Sequence, residues 1–83
     1  MLQDLTDQVV WITGAGTGIG ESAAIKLAEA NCKVVLSGRR ESVLKDVASK
    51  INGDVMLAPL DVSDNSAVVS VAEDILNKHG RID

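Results

Sequence analysis

A glycine-rich octapeptide near the start of the chain has the residue types and spacing to bind phosphate. It reads Thr13-Gly14-Ala15-Gly16-Thr17-Gly18-Ile19-Gly20. Glycine adopts backbone dihedrals that other residues avoid, and it lets a pyrophosphate approach without a Cβ in the way. A helix that begins at such a turn adds unpaired N–H groups and about half a positive charge. The alternative interpretation is that these glycines only form a tight turn.

The spacing of the glycines narrows the kind of nucleotide-binding turn. Gly14, Gly18 and Gly20 fit the pattern T-G-x-x-x-G-x-G, and a G-x-G-x-x-A pattern is also present, shifted, from Gly18 to Ala23. No Gly-Lys-Ser or Gly-Lys-Thr follows, so the P-loop of nucleoside triphosphatases is excluded.

The elements on either side must position this turn. The apolar run 9–12 before it is typical of a buried strand. After it, Ile19, Ala23 and Leu27 recur at the spacing of one helix face. The same alternation continues, which predicts strands at 8–13, 33–37 and 55–60 and helices at 18–30, 40–51 and from Ser63 or Asp64 to Gly80.

This alternation predicts an α/β fold with a parallel sheet. Right-handed crossovers and the doubly wound rule together place the strands in the order 3-2-1, and residues 81–83 would begin a fourth strand beside the first. That arrangement is the N-terminal half of a doubly wound, Rossmann-type sheet. Residues 1–83 are therefore predicted to be the first part of a single nucleotide-binding domain, truncated before strand four.

Local signals predict where these elements end. Thr17 is placed to cap the first helix, and Asn31 can take the left-handed conformation that closes it. Pro59 has no amide hydrogen, which predicts that the third strand lies at a sheet edge. All three helices are expected to have roughly 12 to 16 residues.

The end of the second strand bears on which dinucleotide would bind. In dinucleotide-binding folds a carboxylate about 20 residues past the glycines holds the ribose 2′-hydroxyl of NAD. Here Gly38 occupies that place, and Arg39 and Arg40 follow. A guanidinium attracts a 2′-phosphate in fork geometry, so the sequence favours NADP(H) over NAD(H). Alternatively, both arginines only form a solvated helix start, although the helix dipole disfavours cations there.

The third strand is predicted to end at the same edge of the sheet as the glycine turn and the arginine pair, that is, at the carboxyl ends of the strands. Asp61 and Val62 follow Leu60 there. A short carboxylate there can accept a hydrogen bond from the exocyclic amine of adenine, with Val62 beside the ring. The alternative is that Asp61 only helps to start the third helix.

His79, the one histidine, lies at the end of a predicted helix. A histidine there complements the helix dipole, and we expect no catalytic role for it.

Composition excludes several other function classes. The net charge is −4, which disfavours binding to nucleic acid. One cysteine provides neither a disulfide framework nor a metal cluster. No signal peptide or long apolar span is present, so we expect a soluble, cytoplasmic chain that does not bind a membrane.

Four motifs follow one another along nearly the whole chain: Thr13-Gly14-x-x-x-Gly18-x-Gly20, Gly38-Arg39-Arg40, Leu60-Asp61-Val62-Ser63 and Gly80-Arg81-Ile82-Asp83. Together they resemble the N-terminal part of the short-chain dehydrogenase/reductase family. The resemblance implies that the pyrophosphate is lined by Gly14, Thr17, Gly18, Ile19 and Gly20. It further implies that Arg39 and Arg40 contact the 2′-phosphate, and that Asp61 and the Val62 backbone hold the adenine.

The resemblance also implies an activity, the transfer of a hydride between nicotinamide and a small alcohol or carbonyl substrate. The catalytic serine and the Tyr-x-x-x-Lys motif of the family would lie beyond Asp83, and this chain contains no tyrosine. The isolated chain is therefore predicted to hold no catalytic residue and to be inactive, while the complete enzyme is expected to form an oligomer.

An alternative function is that of a stand-alone nucleotide-binding or sensing module without catalysis. Its weakness is that the first strand would be left as an open apolar edge, which invites association. A flavodoxin-like domain with no nucleotide role does not explain the glycine-rich turn followed by the arginine pair.

Overall fold

The computed structural model describes residues 7–15 and 18–83. Strands and helices alternate through them, as the sequence predicts for an α/β fold. The elements are β1 (Val9–Thr13), α1 (Gly18–Glu29), β2 (Lys33–Ser37), α2 (Glu41–Ala48), β3 (Val55–Leu57) and α3 (Asn65–His79). Within the described residues, none of the helices combines the length and apolar character that crossing a membrane requires.

The three strands form one parallel sheet in the order β1-β2-β3, which confirms the predicted 3-2-1 arrangement. β1 and β2 pair over their whole lengths, from Val9 opposite Lys33 to Thr13 opposite Ser37. β3 pairs with the other side of β2, also in parallel. Since all three strands run in the same direction, the segments that follow them emerge at one edge of the sheet.

Helices cover both faces of this sheet. One core cluster lies between the sheet and the helices α1 and α2; its buried members include Ala24, Val34, Leu36, Leu44 and Val47. A second cluster lies between the sheet and α3, and its buried members are Val9, Val35, Ala58 and Ile75. β2 contributes to both clusters, so it is buried on both faces, as a central parallel strand must be.

α2 is shorter than the sequence predicts. It ends at Ala48 rather than Ile51 and has 8 residues, because the N–H groups of Lys50 and Ile51 donate to carbonyls three residues earlier, as in a 3₁₀ turn. Ile51 still packs against the core cluster under α2, which is why it fits the apolar pattern of the helix. β1 and α1 differ from their predicted bounds by a single residue each.

β3 is also shorter than predicted and ends at Leu57 rather than Leu60. Pro59 lacks the amide hydrogen that a regular ladder requires. The residues on either side of it still donate to the β2 segment, Ala58 to the Leu36 carbonyl at 2.9 Å and Leu60 to the Gly38 carbonyl at 3.0 Å. β3 is an outer strand of the described sheet, as the proline predicts.

Left-handed residues follow two of the helices, at the positions where the sequence predicts these helices to end. Asn31, after α1, has a φ of 72°, and Gly80, after α3, has a φ of 82°. At the other end of α3, Asp64 is the N-cap rather than Ser63, and its side chain accepts a hydrogen bond from the Ala67 N–H.

The last residues of the chain lie beside β1, where the sequence predicts the approach of a fourth strand. The Asp83 N–H donates to the Val9 carbonyl at 2.7 Å, and the Asp83 carboxylate accepts a hydrogen bond from the Val9 N–H at 2.8 Å. The Lys33 N–H on β2 bonds to the neighbouring Gln8 carbonyl. Because main-chain groups alternate in direction along a strand, Asp83 lies on the side of β1 away from β2.

Ser37, at the end of β2, connects β1 and the segment that follows β3 through its side chain. It is completely buried. Its hydroxyl accepts a hydrogen bond from Trp11 Nε1 at 2.8 Å and donates one to the Ala58 carbonyl at 2.7 Å. The hydroxyl therefore holds β1 and the segment after β3 against β2. These contacts lie at the carboxyl end of β2, next to the loops that follow the strands.

We expect Ser37→Ala to lower the free energy of unfolding by about 1–3 kcal/mol, because the partly buried indole N–H and the carbonyl of the buried Ala58 would each lose a partner. Urea denaturation followed by circular dichroism measures the change. Ser70→Ala, at an exposed position on α3, is the matched control and should change stability by less than about 0.5 kcal/mol. Equal stability of the two variants would contradict the structural role of the hydroxyl.

Candidate functional site

Three segments that follow the strands meet at one edge of the sheet. They are the glycine turn after β1, residues 38–40 after β2 and residues 60–62 after β3. Main-chain hydrogen bonds connect neighbouring segments: the Ala15 N–H donates to the Ser37 carbonyl at 3.2 Å, and the Leu60 N–H donates to the Gly38 carbonyl at 3.0 Å. The described residues of the predicted site therefore all lie on segments at this edge.

The glycine turn brings the end of β1 and the start of α1 into close contact. Gly14 has a φ of 68°, a left-handed conformation that favours glycine. A Cβ at Gly20 would lie 2.4 Å from the Gly14 carbonyl oxygen, so this position on α1 has no room for a side chain. Among the described residues, a Cβ at Gly18 would meet nothing within 4 Å. Gly20 thus serves packing within the turn, whereas the space beside Gly18 is open.

Part of the predicted phosphate site lies outside the described residues. Gly16 and Thr17 are in that part, and with them the predicted cap of α1 and one predicted cofactor contact. The next described residues, Gly18 and Ile19, are exposed and begin α1. Ile19 is 88% exposed, so its assignment to the packed face of the helix was wrong; Ala24, Leu27 and Ala28 form the contacts with the core instead.

We expect Gly20→Ala to destabilise the chain far more than Gly18→Ala, because only the alanine at position 20 would collide with a main-chain oxygen. Overpacking of this kind costs about 1–3 kcal/mol, whereas alanine at position 18 enters open space at a helix start. Thermal unfolding of the two variants measures the difference. Equal losses in melting temperature would show that the close approach of α1 to the turn is not a constraint.

Arg39 and Asp61 form an ion pair across the ends of β2 and β3. Arg39 Nε lies 3.8 Å from Asp61 Oδ2, and the two side chains are 78% and 45% exposed. The sequence predicted both as cofactor ligands but did not predict this contact. A guanidinium and a carboxylate are thereby presented to solvent side by side at the edge of the sheet.

The other oxygen of Asp61 belongs to a local turn. Asp61 Oδ1 accepts hydrogen bonds from the Ser63 N–H at 2.9 Å and from the Ser63 hydroxyl at 2.7 Å. These two donors lower the pKa of the Asp61 carboxyl, main-chain donor first, and the Arg39 guanidinium adds to the effect. The carboxylate is therefore ionised and oriented, with Oδ2 directed towards the arginine.

The lowered pKa of Asp61 predicts a pH dependence. The ionised carboxylate stabilises the fold above the pKa that it has in the unfolded chain, and this contribution is lost as the pH falls through the lower pKa of the folded chain. In Ser63→Ala the main-chain donor remains and the hydroxyl is lost, so we expect the pKa of Asp61 to rise part of the way towards its ordinary value. Carboxyl chemical shifts in an NMR pH titration measure it.

Ser66→Ala, at an exposed position in the first turn of α3, is the control for this titration. It leaves both Ser63 donors in place, so the Asp61 midpoint should match that of the unaltered chain. An identical midpoint in Ser63→Ala would mean that the hydroxyl does not hold the carboxylate.

Arg40 and Val62 occupy less constrained positions beside this pair. Arg40 is exposed and is the N-cap residue of α2, with φ −110° and ψ 109° and no side-chain capping hydrogen bond. Val62 is 57% exposed, next to Asp61. Both are at the predicted edge, but the structure gives neither a hydrogen bond to the Arg39–Asp61 pair.

Two serines that support the site were not predicted as part of it. Ser63 was considered as a possible start of the third helix and as part of the Leu60-Asp61-Val62-Ser63 motif, but not as a partner of Asp61. An Asp-x-Ser sequence is typical of a turn in which the aspartate accepts a hydrogen bond from the second following N–H. Ser37 was counted as the last residue of a buried strand. A polar residue at a fully buried position must find hydrogen-bond partners. A serine at the end of an otherwise apolar strand was therefore the signal that could have indicated this role.

Comparison with known proteins bears on what this edge does. A family model described as short chain dehydrogenase matches residues 8–83. Dehydrogenase/reductase SDR family member 7 of Mus musculus is 39% identical over 87 residues, which cover 96% of this chain and 26% of that protein. An uncharacterized oxidoreductase of Staphylococcus aureus (strain USA300) is 46% identical over 65 residues, which cover 77% of this chain and 28% of that protein. The chain spans about a quarter of the length of these relatives.

Solved structures share the arrangement of strands and helices. A metagenomic short-chain oxidoreductase in complex with NADP superposes with a TM-score of 0.93 at 34% identity, over 98% of this chain and 38% of that one. The 3-ketoacyl-(acyl-carrier-protein) reductase of Brucella melitensis, complexed with NADH, superposes with a TM-score of 0.87 at 34% identity, over 95% of this chain and 32% of that one.

Proposed function

Because the chain belongs to the short chain dehydrogenase family, we propose that the three segments at the carboxyl edge of its sheet bind NADP(H). The observation that carries this proposal is their convergence: a glycine turn, an exposed guanidinium and an oriented carboxylate lie on adjacent, hydrogen-bonded segments. Parallel α/β sheets bind ligands at this edge, outside the carboxyl ends of the strands.

The start of α1 is the proposed pyrophosphate site. A pyrophosphate fits there because the space beside Gly18 is open and the helix presents main-chain N–H groups and the positive end of its dipole. In this proposal the residues that line the pyrophosphate are Gly14, Thr17, Gly18, Ile19 and Gly20. The exposed side chain of Ile19 then becomes a surface that the bound cofactor covers.

The ends of β2 and β3 are the proposed site of the adenosine half. Arg39 and Arg40 bind the 2′-phosphate, and Asp61 and Val62 hold the adenine. The preference for NADP(H) over NAD(H) rests on Gly38, which leaves the end of β2 without a carboxylate, and on the exposure of the neighbouring Arg39. The similar solved structures include one complex with NADP and one with NADH. They do not favour either cofactor, so the proposed preference depends on Gly38 and Arg39 alone.

The proposed activity belongs to a complete enzyme of this family. The nicotinamide of the cofactor supplies or accepts a hydride, and an alcohol or carbonyl compound is the substrate. Residues 1–83 are proposed to be the N-terminal part of a single NAD(P)-binding Rossmann domain. Their role is to bind and orient the cofactor, and we propose that they are inactive alone because this stretch contains no tyrosine to serve as the acid/base of the family.

The proposal predicts that Arg39→Ala weakens binding of NADP⁺ by about 10- to 100-fold, the effect of one charge-assisted hydrogen bond. Binding of NAD⁺ should change by no more than about twofold, since it lacks the phosphate that the guanidinium attracts. Isothermal titration calorimetry of both cofactors measures the affinities.

Lys45→Ala is the matched control for charge, because Lys45 is an exposed cation on α2 whose partner is Glu41 at 3.2 Å. It should leave both affinities unchanged. Tighter binding of NAD⁺ than of NADP⁺ by the unaltered protein would overturn the proposed preference, and binding of neither would overturn the proposed function.

A further inference from the structure

The Arg39–Asp61 ion pair joins two groups to which the proposed function gives different ligands. Arg39 is assigned to the 2′-phosphate and Asp61 to the adenine, yet their side chains lie 3.8 Å apart, from Nε to Oδ2. The main-chain hydrogen bond from Leu60 to Gly38 at 3.0 Å holds their segments side by side. The proximity of the two groups is therefore built into the strand ends.

The two partners of this pair are constrained to different degrees. Asp61 Oδ1 is held by two hydrogen bonds from Ser63, and the turn is closed by the Asp64 N–H, which donates to the Asp61 carbonyl at 2.9 Å. Arg39 is a long side chain and 78% exposed. The carboxylate is thus a fixed negative charge, and the guanidinium is the partner that can move.

We propose that Asp61 competes with the cofactor's 2′-phosphate for Arg39 and so lowers the preference of the site for NADP(H) over NAD(H); this rests on the proposed function of the site. A guanidinium that binds the phosphate must leave or share the carboxylate, and the carboxylate itself repels the incoming phosphate. NAD(H) carries no group that competes for Arg39, so neither effect weakens its binding. Asp61 is in this sense a specificity-determining residue, in addition to its proposed contact with adenine.

The size of the effect follows from exposure. The Arg39 side chain is mostly exposed and the Asp61 side chain is about half exposed. Ion pairs in such positions shift an equilibrium by about two- to fivefold. The effect also falls as salt is added, because exposed charges are screened. The ratio of the two cofactor affinities isolates it, since any contact with the adenine is common to NADP⁺ and NAD⁺ and cancels.

The test is the substitution Asp61→Asn, which keeps the size of the side chain and an oxygen for the Ser63 donors but removes the charge. Calorimetry with NADP⁺ and with NAD⁺ gives the affinity ratio for each protein. We expect both affinities to fall together through the adenine contact, while the preference for NADP⁺ rises by about two- to fivefold. This rise should be smaller when Arg39→Ala is also present, because the competition is then lost and only the direct repulsion between the carboxylate and the phosphate remains, and it should shrink at high ionic strength.

Asp54→Asn is the matched control, because Asp54 is an exposed aspartate immediately before β3, at the opposite edge of the sheet. It changes net charge by the same amount and should leave the affinity ratio unaltered. An unchanged or lower preference for NADP⁺ in Asp61→Asn overturns the competition and leaves the proposed function intact. Failure of the unaltered protein to bind either cofactor overturns the proposed function itself.

Discussion

Parallel pairing of β2 with both of its neighbours is the interaction on which the rest of the structure depends. The pairing leaves β2 buried between two layers of helices. It also brings the ends of the three strands to the same edge of the sheet. Groups that are distant in the sequence, such as Arg39 and Asp61, are brought to neighbouring segments in this way. The site therefore needs no long-range loop to assemble it.

Ser37 helps to hold the strands together at their carboxyl ends, next to the candidate site. Regular pairing of β3 ends at Leu57, before the segment that carries Asp61. Beyond that point the strands are held by single hydrogen bonds, among them the bond from the Ser37 hydroxyl to the Ala58 carbonyl. A buried polar group is costly unless it is satisfied, and here its two bonds lie where the ladder weakens.

The sequence predicted the parts of the structure that depend on local chemistry. Element order follows from apolar periodicity, and the left-handed conformation of Asn31 follows from residue type. The 3-2-1 sheet follows from two general rules, the right-handed crossover and the strand order of doubly wound sheets. Periodicity misplaced Ile19, because the pattern does not indicate whether another element covers the first turn of a helix. It also extended α2 to Ile51, since an apolar residue in a 3₁₀ turn contacts the same core.

The Arg39–Asp61 contact belongs to a different class of feature. It depends on how far the ends of β2 and β3 extend along the strand direction and on the turn that orients the carboxylate. The spacing of residues in the sequence predicts neither of these. The sequence predicted that Arg39 and Asp61 follow neighbouring strands, but the interaction between them required coordinates. We propose a different cofactor contact for each of the two residues, and the distance between their side chains is what couples the two proposed contacts.

The hydrogen bond of Trp11 gives the molecule a built-in spectroscopic reporter. Trp11 is the only aromatic residue of the chain, so near-ultraviolet absorption and intrinsic fluorescence arise from one indole. Its Nε1 is bonded to the Ser37 hydroxyl, and Ser37 is adjacent in sequence to the Gly38-Arg39 segment. Indole emission depends on polarity and hydrogen bonding, so a shift of the strand ends changes the emission of this single fluorophore. Movements at the edge of the sheet can thus be followed in the unlabelled chain.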